Sequence, residues 1–411
     1  MKNPKQPAGS RVVSKGYMIF LVILMGLVSQ LDSWLSLIET KAVPGILAQF
    51  AISASEFAFY QGLFGIIVFG VFFIAWFADA FGRKIGIMAL VLVMGIPTIL
   101  VVFLSLNIYI FLLLYSIIIM GTTSNLWEVP ISEEAPAKSR GLNGSLAFLI
   151  GVIPLYAIIG SRIIDTYGWQ WGYGVMFFFM LILMLLLLFM KEPRRWKNAA
   201  EARGNKRLGV IAALKKLRKR DAKYIVIVTV VYLAWTISFK MATTFGGFYF
   251  VEVLKFSDSQ FNSILIIAGL LLPISAIISG VLLDKVGRKF VLIVGSVGAA
   301  VCFVALGLTA IPVFYQAIYF FMAMVLAWIY VYLAEIFTTE VRSTSIGVCV
   351  TGARLGYVVG PLLASLLTSL FPTMQGFWIV GGLLMLAPLL TLFARPLETR
   401  GKTLEDIEVE R

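Results

Sequence analysis

Polar residues along this chain are too sparse to mark out either soluble period. Apolar positions do not recur every three or four residues, as on one face of a surface helix, nor do they alternate as in a half-buried strand. They run continuously. A helix needs about 20 apolar residues to cross ~30 Å of hydrocarbon. The pattern predicts twelve such stretches, at 17–39, 57–78, 85–105, 108–130, 142–164, 173–190, 224–250, 261–283, 290–310, 313–334, 344–369 and 376–393. Continuous runs exclude a membrane β-barrel, whose strands read as short alternating segments. The fold class expected is an all-α membrane protein with twelve transmembrane helices. The first run follows basic residues but is long, carries Asp32 and leads into eleven more, so a cleaved signal peptide is not expected.

Composition agrees. Of 411 residues, 60% are hydrophobic and 13% charged, whereas a soluble protein carries about 25% charged residues. A cytosolic enzyme, a secreted disulfide scaffold and a disordered chain are excluded. There is no histidine, which removes His-based triads, histidine metal sites and histidine proton relays. Cys302 and Cys349 sit in apolar segments and make no disulfide framework. No nucleophile–base or metal constellation appears, so no enzyme, metal or cofactor is expected.

The net charge of +13 is concentrated. Residues 191–223, between the sixth and seventh runs, hold 13 basic against 3 acidic residues. Positive loops stay cytoplasmic, and the other basic loops fall on the same side. Both termini are therefore expected in the cytoplasm, with the chain in the plasma (inner) membrane. Anionic lipid head groups, and not nucleic acid, are the expected partners of this loop, whose segment 208–220 has the pattern of an amphipathic surface helix.

The chain repeats at half its length. Asp79-Ala-Phe-Gly-Arg83-Lys84 recurs as Asp284-Lys-Val-Gly-Arg288-Lys289, 205 positions on. Glu133 with Arg140 recurs as Glu335 with Arg342, 202 on, and Glu192 is echoed by Glu398, 206 on. The expected organisation is an N-terminal six-helix half (1–190), a basic linker (191–223), a second half (224–393) and a tail (394–411). Parallel pseudo-symmetric halves are a transporter architecture, with substrate held between them near the midplane.

On these residues the chain resembles the major facilitator superfamily, in the branch of sugar porters and organic (aromatic) acid:proton symporters. The two D-x-x-G-R-K loops are similar to that family's signatures. Val129-Pro130-Ile-Ser-Glu133 to Arg140-Gly141, Ala334-Glu335 to Arg342, and Leu397-Glu398-Thr-Arg-Gly401 resemble its other loop motifs. The resemblance implies a cytoplasmic latch formed by Asp79, Arg83, Glu133 and Arg140 with Asp284, Arg288, Glu335 and Arg342. From the residues alone, the same clusters equally serve to fix topology and helix docking.

Six ionisable residues fall inside the runs: Asp32, Glu39, Glu128, Arg162, Lys240 and Arg354. A charge at the bilayer centre costs at least ~2.5–3.5 kcal/mol, so each is a functional candidate. At about 1.5 Å per residue, Asp32, Lys240 and Arg354 lie near the midplane. Glu39 and Arg162 fall near the outer ends, where snorkelling suffices, and Glu128 lies near the inner end of the fourth run. Ser36 and Glu39 share a helical face with Asp32, Thr244 shares one with Lys240, and Tyr357 one with Arg354.

Two midplane cations against one carboxylate point to an anionic substrate, gripped by Arg354 and Lys240 beside Asp32, Tyr357, Trp34 and Thr244. The competing reading of the same charges is a structural Asp32–Lys240 or Asp32–Arg354 bridge. Thr351 to Pro361 resembles the arginine-bearing eleventh helix of aromatic-acid symporters and organic-anion carriers. Without histidine a buried carboxylate is the candidate proton carrier, Asp32 first, with Glu39 and Glu128 behind it. The chain departs from the family here, whose coupling aspartate aligns with Leu35, one turn after Asp32 and not at the same site. The paired glutamines of hexose porters are replaced by Ser238-Phe239-Lys240-Met241, which weighs against a sugar. The function expected is proton-coupled transport of a small organic anion by a monomer. A sugar or polyol porter is the alternative, and a transporter-like sensor the remote one.

Overall fold

The computed structural model describes residues 14–124, 126–135, 140–194, 196–197, 201, 219–337, 342–402 and 404–410. Among these, all regular structure is helical. Twelve helices cross the molecule: α1 (Lys15–Leu37), α2 (Ala54–Phe81), α3 (Arg83–Leu104), α4 (Ile108–Thr122), α5 (Asn143–Tyr167), α6 (Trp169–Leu188), α7 (Arg220–Val253), α8 (Asp258–Lys285), α9 (Arg288–Thr309), α10 (Pro312–Ile336), α11 (Ser345–Leu370) and α12 (Gln375–Ala394). All but α4 are long and apolar enough to span a bilayer by themselves. Phe73, Leu185 and Phe393 stand exposed on the outer wall, as side chains facing lipid would.

The repeat is written into the backbone as well as the sequence. Ala51 and Lys255 both adopt left-handed φ before α2 and α8. Both helices then open with a capping box, Ser53 with Glu56 and Ser257 with Gln260, which satisfies otherwise orphaned N–H groups. Gly82 and Gly287 take φ of 115° and 125° at the tight turns into α3 and α9, a conformation that disfavours any Cβ. At each turn one carboxylate caps the new helix. Glu192 accepts the backbone N–H groups of Arg83 and Lys84; Glu398 accepts those of Arg288 at 3.0 Å and Lys289 at 3.1 Å.

Three boundaries differ from the sequence expectation, and each difference matters. The first run does not end at 39: after Ile38 the chain continues helically through Glu39–Phe50. The seventh begins earlier and ends later than 224–250, at Arg220–Val253. Hydropathy cuts both short at charged residues. Tertiary partners cover Glu39 and Lys41 at the end of the first run, whereas Lys223 and Glu252 at the ends of the seventh are exposed and the helix simply extends past them. The fourth run stops at Thr122, not 130. The Thr122 and Thr123 hydroxyls donate to the carbonyls of Ile119 and Met120, and a separate short helix, Glu128–Glu134, follows. Glu128 therefore lies outside α4, in the first turn of that short helix.

The two halves press together on the face away from the termini. A Cβ on Gly65 of α2 would lie 2.1 Å from the Tyr357 carbonyl oxygen of α11, and one on Gly247 of α7 would lie 2.0 Å from that of Thr40. Small residues that let backbones touch are the usual means of tight helix packing in lipid. Most of the 191–223 linker, including most of 208–220, lies outside the described residues, as do the side chains of Arg140 and Arg342.

Candidate functional site

A cavity of about 790 Å³ lies between the halves. It runs from Lys240 and Ser36 at mid-depth to Ser132 and Asp284 on the terminus side. The Asp284 side chain is 80% exposed, so the cavity reaches the surface there. Helices α1, α4 and α5 of the first half and α7, α8, α10 and α11 of the second supply its wall.

Arg354 reaches the cavity from α11, beside Leu355, whose N–H bonds to the Gly352 carbonyl three residues back while its backbone stays helical. The side chain is 3% exposed. One terminal nitrogen donates across the halves to the Thr123 carbonyl, and the Tyr357 ring lies 6.0 Å from the guanidinium carbon. Its Nε makes no hydrogen bond among the described residues. Asp32 sits within electrostatic range of Arg354 and accepts a hydrogen bond from Ser36 at 3.2 Å. A buried guanidinium with a spare donor is suited to grip a carboxylate.

Lys240 is differently placed. Its ammonium meets Glu39 Oε2 at 2.5 Å and the Tyr115 hydroxyl at 3.2 Å. The other Glu39 oxygen accepts from Gln61 at 2.5 Å. Glu39 is fully buried and Lys240 is 7% exposed, so this ion pair joins the halves out of contact with bulk water. One layer further out, Lys41 bridges Asp165 of α5, at 3.0 Å, to Asp258 of α8. Both layers link first half to second on the closed face.

The paired loop motifs form one cluster in each half. Arg83 binds Glu133 at 3.0 Å and also Asp79; Arg288 binds Glu335 at 2.6 Å and approaches Asp284 at 3.7 Å. Burial raises the Glu133 carboxyl above its usual value, an effect the Arg83 pairing only partly offsets. Glu398 goes the other way. Burial pushes its carboxyl up, but the N–H groups of Arg288, Lys289 and Arg400 outweigh this and hold it below the usual value.

Of the residues singled out from the sequence, the structure brings Asp32, Glu128, Lys240, Arg354 and Tyr357 to one cavity. Trp34 and Thr244 are corrections. Trp34 is buried inside the first half, its indole N–H donating to the Gly172 carbonyl at 2.8 Å, and Thr244 is buried away from the cavity. Helical spacing put Thr244 on the face of Lys240, but neighbouring helices cover it; Trp34, two residues after Asp32, falls on the other side of α1. Glu39 is a third correction: it is buried and paired, not snorkelling at an outer end. No Asp32–Lys240 bridge forms. Gln61, Tyr115, Lys41, Asp165 and Asp258 were missed. One signal was available, since Glu39 and Lys240 lie 201 positions apart, close to the repeat.

Comparison with known proteins follows the same lines. The profile of the Major Facilitator Superfamily matches residues 22–329. The chain is similar to the putative metabolite transport protein YwtG of Bacillus subtilis (strain 168), 25% identical over 378 residues, covering 80% of this chain and 81% of that one. It is also similar to the probable metabolite transport protein CsbC of that bacterium, 25% identical, covering 70% and 71%. Among solved structures, the xylose transporter XylE from E. coli, in a partially occluded inward-open conformation, superimposes with a TM-score of 0.73 at 19% identity. That match covers 95% of this chain and all of the other. A bacterial homologue of the human lysosomal transporter Spinster, inward-facing and unoccupied, gives 0.63 at 15% identity, covering 93% and 96%.

Proposed function

This chain belongs to the major facilitator superfamily, an integral membrane family of transporters and not of enzymes, and we propose that it moves a small carboxylate-bearing metabolite together with protons. The observation that carries this reading is Arg354, a buried cation at the cavity wall with an unsatisfied Nε. A buried donor without a partner is costly, and a substrate carboxylate would supply one.

Asp32 provides the coupling. While ionised it neutralises Arg354. On taking up a proton it no longer does so, and the substrate carboxylate takes over that role. Proton and anion then enter as a neutral sum, which lowers the cost of carrying them through a low-dielectric passage. Glu39 and Glu128 are the remaining candidate carriers, and the engagement of Glu39 by Lys240 makes it a gate residue first.

Alternating access requires the closed face to open. The Glu39–Lys240 and Lys41–Asp165–Asp258 layers are the proposed lock on that face. The clusters around Arg83 and Arg288 stiffen each half so that it rocks as a unit, and together with Arg140 and Arg342 form the proposed latch on the other face. The termini are assigned to the cytoplasm of a plasma (inner) membrane, which makes the present cavity inward-facing.

Counterflow in proteoliposomes, with a labelled panel of carboxylates and sugars, tests the substrate class. Carboxylate exchange is expected, with at least a tenfold loss in Arg354→Gln, as befits a lost charge-assisted bond of ~1.5–3 kcal/mol. Sugar exchange that survives Arg354→Gln would instead support a sugar porter.

A further inference from the structure

Five charged side chains line the cavity: Asp32, Glu128, Lys240, Asp284 and Arg354. Two are already engaged elsewhere. Lys240 is held by Glu39, and Asp284 lies at the exposed mouth facing Arg288. That leaves one cation, Arg354, and two carboxylates, Asp32 and Glu128. If Asp32 answers Arg354, Glu128 is left over. Among the described residues no hydrogen bond or ion pair reaches its carboxylate, which is exposed to the cavity.

We infer that the cavity accepts a zwitterion, an amino carboxylate whose carboxylate lies on Arg354 and whose ammonium lies on Glu128. The inference rests on the carboxylate reading above and narrows it. A substrate bearing only a negative charge would satisfy Arg354 while adding repulsion at Glu128. One that also bears an ammonium satisfies both.

The placement favours such a pairing. Arg354 donates to Thr123, five residues before Glu128, and both charges line the one cavity, where a substrate can reach from one to the other. Asp32 is within electrostatic range of both. The Tyr330 side chain, on the same half as Arg354 and the opposite half from Asp32 and Glu128, is within range of all three. Trp127, Tyr232 and Tyr330 line the same cavity, and aromatic faces attract an ammonium. The volume of about 790 Å³ lies within the ~300–1,000 Å³ usual for small-molecule sites.

Two matched series separate the possibilities: phenylalanine, 3-phenylpropionate and phenethylamine, and 4-aminobutyrate, butyrate and butylamine. Binding to the purified full chain is followed by quenching of tryptophan fluorescence and checked by counterflow. In at least one series the zwitterion is expected to bind ~10-fold or more tightly than the acid alone, the scale of one added ionic hydrogen bond. In Glu128→Gln the zwitterion-to-acid affinity ratio should fall to about one, and Glu128→Asp should restore part of it. A ratio is read within one protein, so a general loss of folded material does not mimic the effect. Acid and zwitterion binding equally in the wild type would overturn the zwitterion and leave the carboxylate reading standing. So would a ratio unchanged in Glu128→Gln. Binding of sugars in place of all six compounds would overturn both.

Discussion

Lys240 shows what a sequence can and cannot say about a single charge. Its presence inside an apolar run marked it as functional, because the cost of burying it had to be met. Its partner was not legible. Depth counted from the expected helix ends put it level with Asp32, and those ends were wrong by several residues in α1 and α7. Pairing follows three-dimensional register, which hydropathy does not encode. The consequence is testable. Lys240→Met orphans a buried carboxylate, a change of ~3–5 kcal/mol, and should lower the thermal midpoint of the detergent-solubilised protein. Glu39→Gln combined with Lys240→Met should recover most of that loss; a double variant no better than the single would show that the pair is not a unit. Glu398 makes a pH prediction. Its folded-state carboxyl is held below the ordinary value, so its contribution is present above that ordinary value and lost as pH falls through the depressed one. The stability gap between wild type and Glu398→Gln should therefore be open at neutral pH and close on acidification, in a thermal-shift titration.

At the scale of elements, number and order were legible because about 20 apolar residues per crossing is a physical requirement. The loop motifs and their spacing exposed the two halves for the same reason that Gly82 and Gly287 share a backbone conformation. The end of α4 was not legible. The helix ends at Thr122 and a separate short one starts at Glu128, and apolarity alone cannot register that. Helix contacts between the halves were equally hidden, since a glycine in a membrane run has many uses. Gly65 now has a specific one. Its missing Cβ lets α2 touch the backbone of α11 at mid-depth, at the inner edge of the closed face, and a carbonyl oxygen cannot yield as a side chain can. Gly65→Val should therefore hold that face open. Spin labels on the outer ends of α2 and α11 should report a longer separation than in wild type. An unchanged distance distribution would show that the closed packing tolerates the substitution.

At the scale of the whole molecule, the two repeats enclose a charged cavity. It is locked on one face by Glu39–Lys240 and Lys41–Asp165–Asp258, and open on the other at Asp284. The sequence located the three mid-depth charges that matter most and gave no sign of the outer charged layer, whose members sit at helix ends and look like ordinary loop residues. Two of the mid-depth charges, Arg354 and Asp32, carry the proposal of proton-coupled carboxylate transport. Its most direct test is accumulation of a labelled carboxylate substrate in proteoliposomes under an inward proton gradient. Wild-type protein should accumulate substrate above equilibrium and lose that accumulation when the gradient is collapsed, while Asp32→Asn should exchange substrate without accumulating it. Accumulation indifferent to the gradient, or undiminished in Asp32→Asn, would contradict the account.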